Sequence, residues 1–347
     1  MPTLQKKGKI VTTTPHGLGL ALPVRESIGF QKSLELAGEA ERLGYRSLWT
    51  AEVSGMDALT VLSAYATVTS RVQLGTAVIA IQTRTPVMTA MSFASLHALS
   101  GGRALIGLGV GSPIIAERWH GVAYPPAAAA IREVVTIMRQ VLRGERTNFE
   151  GKYYRSKGFQ LGMSLPKDKP VPIYLAALNP AMLRLAGEIA DGVLFNYSPA
   201  EAIGPMIAEV RKGAEAAGRD PNVIDYTMYV RCCVTDDVPT TVQAYKRELS
   251  SYGFVDPYVR MFTRYGFGDE MQGFRKLWQE GKRDEAVQCI SDKMAHTLAA
   301  IGPKEKGREY IQACRAAGLT HPILFPIGAP KNASVELPRA MRELADA

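Results

Sequence analysis

The sequence contains no run of about 18 apolar residues, which is the length that a membrane-spanning helix needs. Its first residues are polar and basic, and they lack the apolar stretch and the small-residue cleavage site of a secretory signal. We therefore expect a soluble, cytoplasmic protein without a membrane partner.

Cysteine is scarce, with four among the 347 residues. Cys232 and Cys233 are adjacent, whereas Cys289 and Cys314 stand alone. None of them has the C-x-x-C or Cys/His spacing of a zinc site, and the histidines other than His120 show no mutual spacing suited to a metal ion. We expect reduced thiols and no metal site.

Acidic residues are the minority, since 33 Asp and Glu against 41 Lys and Arg give a formal net charge of +8. A positive balance of this size is compatible with nucleic acid, with an anionic cofactor, or with no particular partner. The basic residues are scattered, and no recognition helix or interleaved aromatic motif accompanies them. Nucleic acid is therefore the weakest of the three interpretations, and we expect a small-molecule substrate.

The sequence is rich in alternating strand-like and helix-like segments. GLGLALP at 17–23 is a short apolar run, and the amphipathic QKSLELAGEAERLGY at 31–45 follows it. The pattern recurs as far as THPILFP near the C-terminus and gives eight strands. The strands are apolar throughout, which is typical of a parallel sheet buried on both faces. The count predicts an α/β protein with one (β/α)8 TIM barrel domain over 1–347, although an open doubly wound sheet has the same local pattern.

Two stretches interrupt the alternation. Residues 144–170, after the fourth strand, are polar, aromatic and glycine-containing, and they predict a long loop or a small hairpin. Residues 252–282, after the seventh strand, contain eight aromatic residues. Such a segment could be a lid, a subunit contact or an insertion packed against the barrel.

The active site of a barrel enzyme lies where the strands end at their carboxyl side. There the fourth strand runs into the turn GLGVGSP, and the fifth ends directly before a helix that begins at Pro180. Glycine amides and a helix N-terminus could together bind a phosphate group, or the glycines could merely permit tight turns. The turn matches neither a Rossmann fingerprint nor a P-loop.

Other polar residues follow the same strand ends. Glu117, Trp119 and His120 come after the glycine turn, and His120 could supply a proton or have a structural role in its loop. Arg84 follows the third strand, where it could neutralise an anionic ligand or form an ordinary surface salt bridge.

The segments around these strand ends resemble the luciferase-like monooxygenase superfamily. LGTAVIAIQTRTP, the stretch AMSFASLHALSGGRALIGLGVGSP and YLAALNPAMLRLAGEIADGVLF resemble its third to fifth βα units. WTAEVSGMDALTVLSAYATVTSRVQLGTAV is similar to the branch that uses coenzyme F420 and includes methylenetetrahydromethanopterin reductases. The resemblance covers residues 17–330. It implies a homodimer with coenzyme F420 as cofactor, and FMN is the alternative.

The resemblance also implies roles for particular residues. The non-proline cis peptide that the family has beneath the central flavin ring corresponds to Ala77-Val78. The family's carboxylate at the end of the second strand corresponds to Glu52, which is expected to meet the polar edge of the deazaflavin. Glu52 and His120 are the catalytic candidates. The residues expected around the coenzyme phosphate and tail are Gly109, Val110, Gly111, Ser112, Ala177, Leu178 and Asn179.

One position departs from the family pattern. Dehydrogenases of this branch have a histidine base after the carboxylate, whereas this chain has Val53. Without that base, alcohol oxidation is disfavoured, and reduction of an activated C=C or C=N bond becomes the leading hypothesis. An FMN-dependent monooxygenase and a non-catalytic barrel that binds the coenzyme are the alternatives.

Overall fold

The structure is a computed structural model that describes residues 17–347, in which parallel strands alternate with helices around a closed ring. The strands are β1 (Gly19–Ala21), β2 (Ser47–Thr50), β3 (Gln73–Thr76), β4 (Ile79–Ala80), β5 (Ala104–Gly109), β6 (Asn148–Glu150), β7 (Arg155–Lys157), β8 (Ile173–Ala176), β9 (Gly192–Phe195), β10 (Asp225–Val234), β11 (Ala300–Gly302) and β12 (His321–Pro326).

The ring order is β1, β2, β3, β5, β8, β9, β10 and β12, and β12 pairs with β1 to close it. This confirms the predicted eight-stranded TIM barrel. The third strand of the ring is interrupted, because β4 pairs with the far half of β5 after a break at Ala77 and Val78. The short β11 extends the sheet beside the end of β10.

The helices are α1 (Phe30–Arg42), α2 (Ala58–Val68), α3 (Pro86–Leu99), α4 (Ala127–Leu142), α5 (Pro180–Ile189), α6 (Ala200–Ala216), α7 (Val238–Ser250), α8 (Asp256–Arg264), α9 (Gly268–Gln279), α10 (Arg283–Gln288), α11 (Asp292–Leu298), α12 (Lys304–Ala316) and α13 (Ala333–Glu343). Their apolar faces cover the barrel. On α4, for example, Ile131, Val134, Val135 and Met138 are buried at the spacing of one helix face. None of the helices in the described part is long and apolar enough to cross a membrane.

The two interrupting segments pack on this frame. Residues 144–170 contain the hairpin of β6 and β7, and its turn is fixed by Glu133 of α4, which accepts hydrogen bonds from three consecutive amides, those of residues 152–154. Residues 252–282 form α8, α9 and the turns around them. Their aromatic side chains Phe262, Phe267 and Phe274 are buried, and the Phe262 ring packs on Tyr197, which follows β9.

The interior of the barrel is filled by Trp49 of β2, which is fully buried. A Cβ atom on Gly75 of the neighbouring strand would lie 2.5 Å from the indole ring, so a side chain there would displace Trp49. Small residues on one strand therefore make room for the large residue on the next, as packing inside an eight-stranded barrel requires.

Beside Trp49 lies a buried polar network at the opposite end of the barrel from the predicted site. The indole Nε1 donates to Ser47 Oγ at 2.6 Å, and Ser47 Oγ lies 2.8 Å from His321 Nε2. His321 Nδ1 lies 3.2 Å from a carboxylate oxygen of Asp225. Because Trp49 can only donate, the Ser47 hydroxyl proton is free to point at Nε2, which favours a neutral imidazole with its proton on Nδ1. Asp225 also accepts hydrogen bonds from Arg46, Tyr174 and Thr320.

The network has the residue types of a hydrolytic Ser-His-Asp triad but no access for a substrate, since Ser47 and His321 are fully buried. Burial lowers the pKa of His321, against the opposing effect of Asp225. Burial would raise the pKa of Asp225, but His321 and Arg46 hold it well below its usual value. The arrangement therefore stabilises the fold with a neutral imidazole and an ionised carboxylate.

The pKa shifts predict a loss of stability on acidification. The unfolded chain takes up a proton on His321 below about pH 6.5, whereas the folded chain resists it, so the free energy of unfolding should fall as the pH drops through about 6.5. Asp225 adds to the loss below about pH 4, where only the unfolded chain protonates it. His321→Gln should cost about 1 to 3 kcal/mol at pH 7.5, through unpaired buried groups, and should flatten the upper part of the profile.

Urea unfolding followed at a series of pH values checks this. His120→Gln is the matched control, because His120 is exposed and its loss should leave the profile unchanged. A His321→Gln profile as steep as that of the wild type would contradict the assignment.

Candidate functional site

Glu52, at the end of β2, is held by two neighbours. Arg84 Nε lies 3.2 Å from one carboxylate oxygen, and Arg84 Nη2 lies 3.0 Å from the other, which also accepts the amide of Ala58. Arg84 pairs with Asp57 as well. The hydrogen bonds to Glu52 raise the pKa of Arg84, so the guanidinium stays charged. The sequence allowed Arg84 either to neutralise an anionic ligand or to form a surface salt bridge. The structure shows a salt bridge, but it lies beside the strand ends rather than on the outer surface.

The third and fourth strands of the ring, which are the interrupted β3–β4 strand and β5, meet immediately beside Glu52. The Ala77-Val78 peptide bond is cis, as the family resemblance implies, and the carbonyl of Val78 accepts the amide of Glu52 at 3.2 Å. A Cβ atom on Gly109 would lie 2.5 Å from Val78 Cγ2. The absence of a side chain at Gly109 therefore lets β5 approach the cis peptide. The structure thus brings Glu52, Ala77, Val78 and Gly109 together.

The glycine turn after β5 is closed by hydrogen bonds from other loops. The amide of Gly111 donates to Gln82 Oε1 at 3.2 Å, and Tyr124 donates to the carbonyl of Gly111 at 3.0 Å. Ser112 Oγ accepts the amide of Ile115 at 3.3 Å, and the backbone at Val110 stays partly exposed. Gln82 Nε2 is buried and has no hydrogen-bond partner within residues 17–347. A buried donor without an acceptor is costly, so this position is suited to a ligand oxygen.

The turn after β8 has a different division of roles. Ala177 is buried, and its amide donates to the carbonyl of Leu194. Its side chain and its amide are therefore both unavailable to a ligand. Asn179 accepts the amide of Met182 at 3.1 Å and is the N-cap of α5. Leu178 presents its carbonyl to Arg264 at 2.9 Å. Arg264, at the end of α8, is exposed and makes no ion pair within the described residues, so a positive charge lies beside the predicted phosphate turn.

The segment after the glycine turn is a single π-helix, Ile114–Trp119. Glu117, Trp119 and His120 on or next to it are all exposed, and the His120 ring makes no hydrogen bond within residues 17–347. Short π-helical segments are frequent at functional sites. The structure places His120 on the rim and not in direct contact with Glu52.

A cavity of about 260 Å³ lies next to Glu52, since the neighbouring residues Ala51 and Val53 line it. It is lined by the loops after β1 and β2 together with Tyr229 of β10 and Phe325 of β12. Val53, at the position where the family dehydrogenases have their base, is one of its lining residues and is 55% exposed. A wider groove of about 530 Å³ beside α7 contains none of the predicted site residues.

The ends of β9 and β10 hold a buried cation. The Arg231 guanidinium carbon lies 3.4 Å from the Tyr197 ring centroid, and Arg231 donates to Asn196 at 2.8 Å and to Glu248 at 3.3 Å. Tyr197 also donates to Glu248 at 2.8 Å. These contacts fasten α7 to the barrel mouth.

Local sequence patterns did not identify several side chains at the barrel mouth, namely Gln82, Asp57, Arg231 and Arg264. Each makes its decisive contact with a residue far away in the chain, so local patterns carry no signal for it. Of these residues, Gln82 was the easiest to predict from the sequence, since it directly follows the third strand. No group of three or more His, Cys, Asp or Glu that could hold a metal ion occurs within residues 17–347.

A closed parallel barrel with polar side chains gathered at the carboxyl ends of its strands is the arrangement of (β/α)8 enzymes. The chain belongs to the luciferase-like monooxygenase family, whose model matches residues 9–321. This confirms the family predicted from the sequence.

Two similar proteins illustrate the branch. A Mycobacterium tuberculosis protein, provisionally named a coenzyme F420-dependent oxidoreductase, is 33% identical over 87% of this chain and 93% of its own. The 5,10-methylenetetrahydromethanopterin reductase of Methanopyrus kandleri is 28% identical over 88% of this chain and 92% of its own.

Solved structures share the fold. A coenzyme F420-dependent tetrahydromethanopterin reductase from Methanopyrus kandleri superposes with a TM-score of 0.81 at 24% identity, covering 95% of this chain and 98% of that chain. An F420-dependent secondary alcohol dehydrogenase gives a TM-score of 0.74 at 17% identity, covering 96% and 98%.

Proposed function

We propose that the protein is a coenzyme F420-dependent oxidoreductase that reduces an activated C=C or C=N bond of a small organic molecule. The observation that carries the proposal is a buried amide donor without a hydrogen-bond partner and a cation without an ion-pair partner, both at the barrel mouth within residues 17–347. Gln82 Nε2 lies buried beside the glycine turn, and Arg264 lies beside the turn before α5. The names of similar proteins support the same coenzyme.

The residues at the ends of β5 and β8 fit the chemistry of this coenzyme. Its phosphate and oligoglutamate tail are anionic, and Arg264 offers a charge that no carboxylate within residues 17–347 neutralises. The amides at the start of α5 add a partial positive charge on the same side. Gln82 Nε2 can donate to an oxygen of the bound coenzyme.

Glu52 is assigned to binding rather than to proton transfer. Both of its carboxylate oxygens already accept hydrogen bonds from Arg84, and one also accepts the Ala58 amide. A carboxylate fixed by these contacts can orient the polar edge of the coenzyme.

When it is bound, the reduced coenzyme supplies a hydride to one carbon of the substrate double bond. The other atom of that bond then requires a proton. Val53 lines the cavity at the position where the family dehydrogenases have their base. Because alcohol oxidation needs a base to remove the hydroxyl proton, Val53 favours reduction. His120 remains the proposed proton source, because its ring is exposed and unpaired within residues 17–347. Four free cysteines suit a reducing compartment, so the proposed location is the cytoplasm.

Coenzyme affinity tests the proposal. Fluorescence quenching should show tighter binding of F420 than of FMN, and Arg264→Gln should weaken F420 binding by about tenfold, the loss expected for one charge-assisted hydrogen bond. Lys276→Gln removes an equal charge from an exposed position on α9 and should leave the affinity unchanged.

Tight FMN binding without any response to F420 would support a monooxygenase instead. An F420 complex that reduces no acceptor would support the non-catalytic barrel.

We further propose that the protein is a homodimer joined through α2 and α3. These adjacent outer helices contain no Asp, Glu, Lys or Arg, although a solvated barrel helix normally has a charged face. Met88 and Leu99 are 46% and 58% exposed, and they lie about three turns apart on one face of α3. An exposed apolar face of this kind is typical of a subunit contact.

Sedimentation velocity tests the dimer. Leu99→Asp should shift the protein towards the monomer, because a charge would be buried at the contact. Val335→Asp is the matched control, since Val335 is 67% exposed but lies on α13. A wild-type monomer, or an unchanged Leu99→Asp dimer, would contradict the assignment.

A further inference from the structure

The cavity beside Glu52 contains one formal charge among its lining residues, the guanidinium of Arg25 in the loop after β1. The other lining side chains are apolar, aromatic or uncharged, with Met56, Tyr229 and Phe325 among them. A cation in otherwise uncharged surroundings attracts an anion more strongly than one in open solvent, because the local dielectric constant is lower.

Arg25 is positioned by an aromatic ring and not by a carboxylate. Its guanidinium carbon lies 5.5 Å from the centroid of Phe325, and it forms no ion pair within residues 17–347. Glu26 follows it in the chain but is exposed, and the two side chains form no ion pair within the described residues. The guanidinium donors therefore remain available to a ligand.

The charges around Phe325 do not balance. The guanidinium carbon of Arg231 lies 5.0 Å from the centroid of the same ring, and its charge is matched by Glu248. No second carboxylate is paired with Arg25. Arg25 is thus a cation that lines the cavity without a paired carboxylate within residues 17–347.

The position of Arg25 separates it from the phosphate turns. β1 and β8 stand opposite each other in the ring of eight strands, so Arg25 and Arg264 lie on opposite sides of the barrel mouth. The site for the anionic tail and the cavity at Arg25 are thus two different places.

We infer that the substrate is an organic anion with an apolar or conjugated body, whose carboxylate is bound by Arg25 while its body lies against Tyr229, Phe325 and Met56. The inference rests on the proposed function for calling this molecule the substrate, and it adds the substrate class. An Arg25 guanidinium can bind a carboxylate through two parallel hydrogen bonds, which a neutral amide cannot replace.

The experiment compares trans-cinnamate with trans-cinnamamide, which have the same shape and an activated C=C bond but differ in charge. Isothermal titration calorimetry gives their affinities for the protein alone and with oxidised F420. The wild type should bind cinnamate about tenfold more tightly than cinnamamide, the equivalent of one charge-assisted hydrogen bond. Arg25→Gln should reduce the difference to about twofold or less without weakening cinnamamide binding, and Arg25→Lys should restore part of it.

Arg118→Gln is the control, since Arg118 is exposed on the π-helix and is not among the cavity-lining residues. Equal affinities in the wild type, or a preference for cinnamate that survives Arg25→Gln, would overturn the inference. The F420 affinity of Arg25→Gln should equal that of the wild type. If F420 does not bind any variant while the Arg25-dependent preference persists, the proposed coenzyme is wrong and the anion site stands.

Discussion

Closure of the parallel sheet is the constraint on which the rest of the structure depends. Once β12 pairs with both β10 and β1, every strand ends at the same rim, and side chains far apart in the chain become neighbours. Glu52, Val78 and Gly109 meet for this reason, because they follow or end successive strands of the ring. The opposite end holds the buried Asp225 and His321 pair, so stability and function occupy different ends of one barrel.

The rim itself divides according to which polar groups are satisfied. Arg84 is shared between the carboxylates of Glu52 and Asp57, and Arg231 is matched by Glu248. In the described part, Gln82 Nε2 has no hydrogen-bond partner, and Arg264 and Arg25 have no ion-pair partner. Two of them lie at the turns after the third and fifth strands of the ring, and Arg25 lies across the mouth. Coenzyme and substrate are therefore proposed to occupy different halves of one opening.

The fold was predictable because its signal is local. Apolar strand segments alternate with amphipathic helices, and the count of eight predicts closure. The short β11 was not predictable, because three residues are too few to show a periodicity. The cis peptide bond at Ala77-Val78 and the position of Glu52 at the site were predicted from the family resemblance.

The partners within the site could not be predicted in this way. Arg84 lies 32 residues from Glu52, and Arg264 lies 86 residues from Leu178. Their contacts arise only when the strands are aligned. The resemblance also placed Ala177 and Asn179 around the coenzyme phosphate and tail. In the structure the Ala177 amide donates to Leu194 and the Asn179 side chain caps α5.

The division of the barrel mouth is the central claim, and a crystal structure of the protein with bound F420 tests it most directly. The account predicts that the coenzyme phosphate lies within hydrogen-bond distance of Arg264, that Gln82 Nε2 donates to the coenzyme, and that the cavity at Arg25 stays open. A coenzyme tail bound by Arg25, with Arg264 and Gln82 left without contact, would contradict the account.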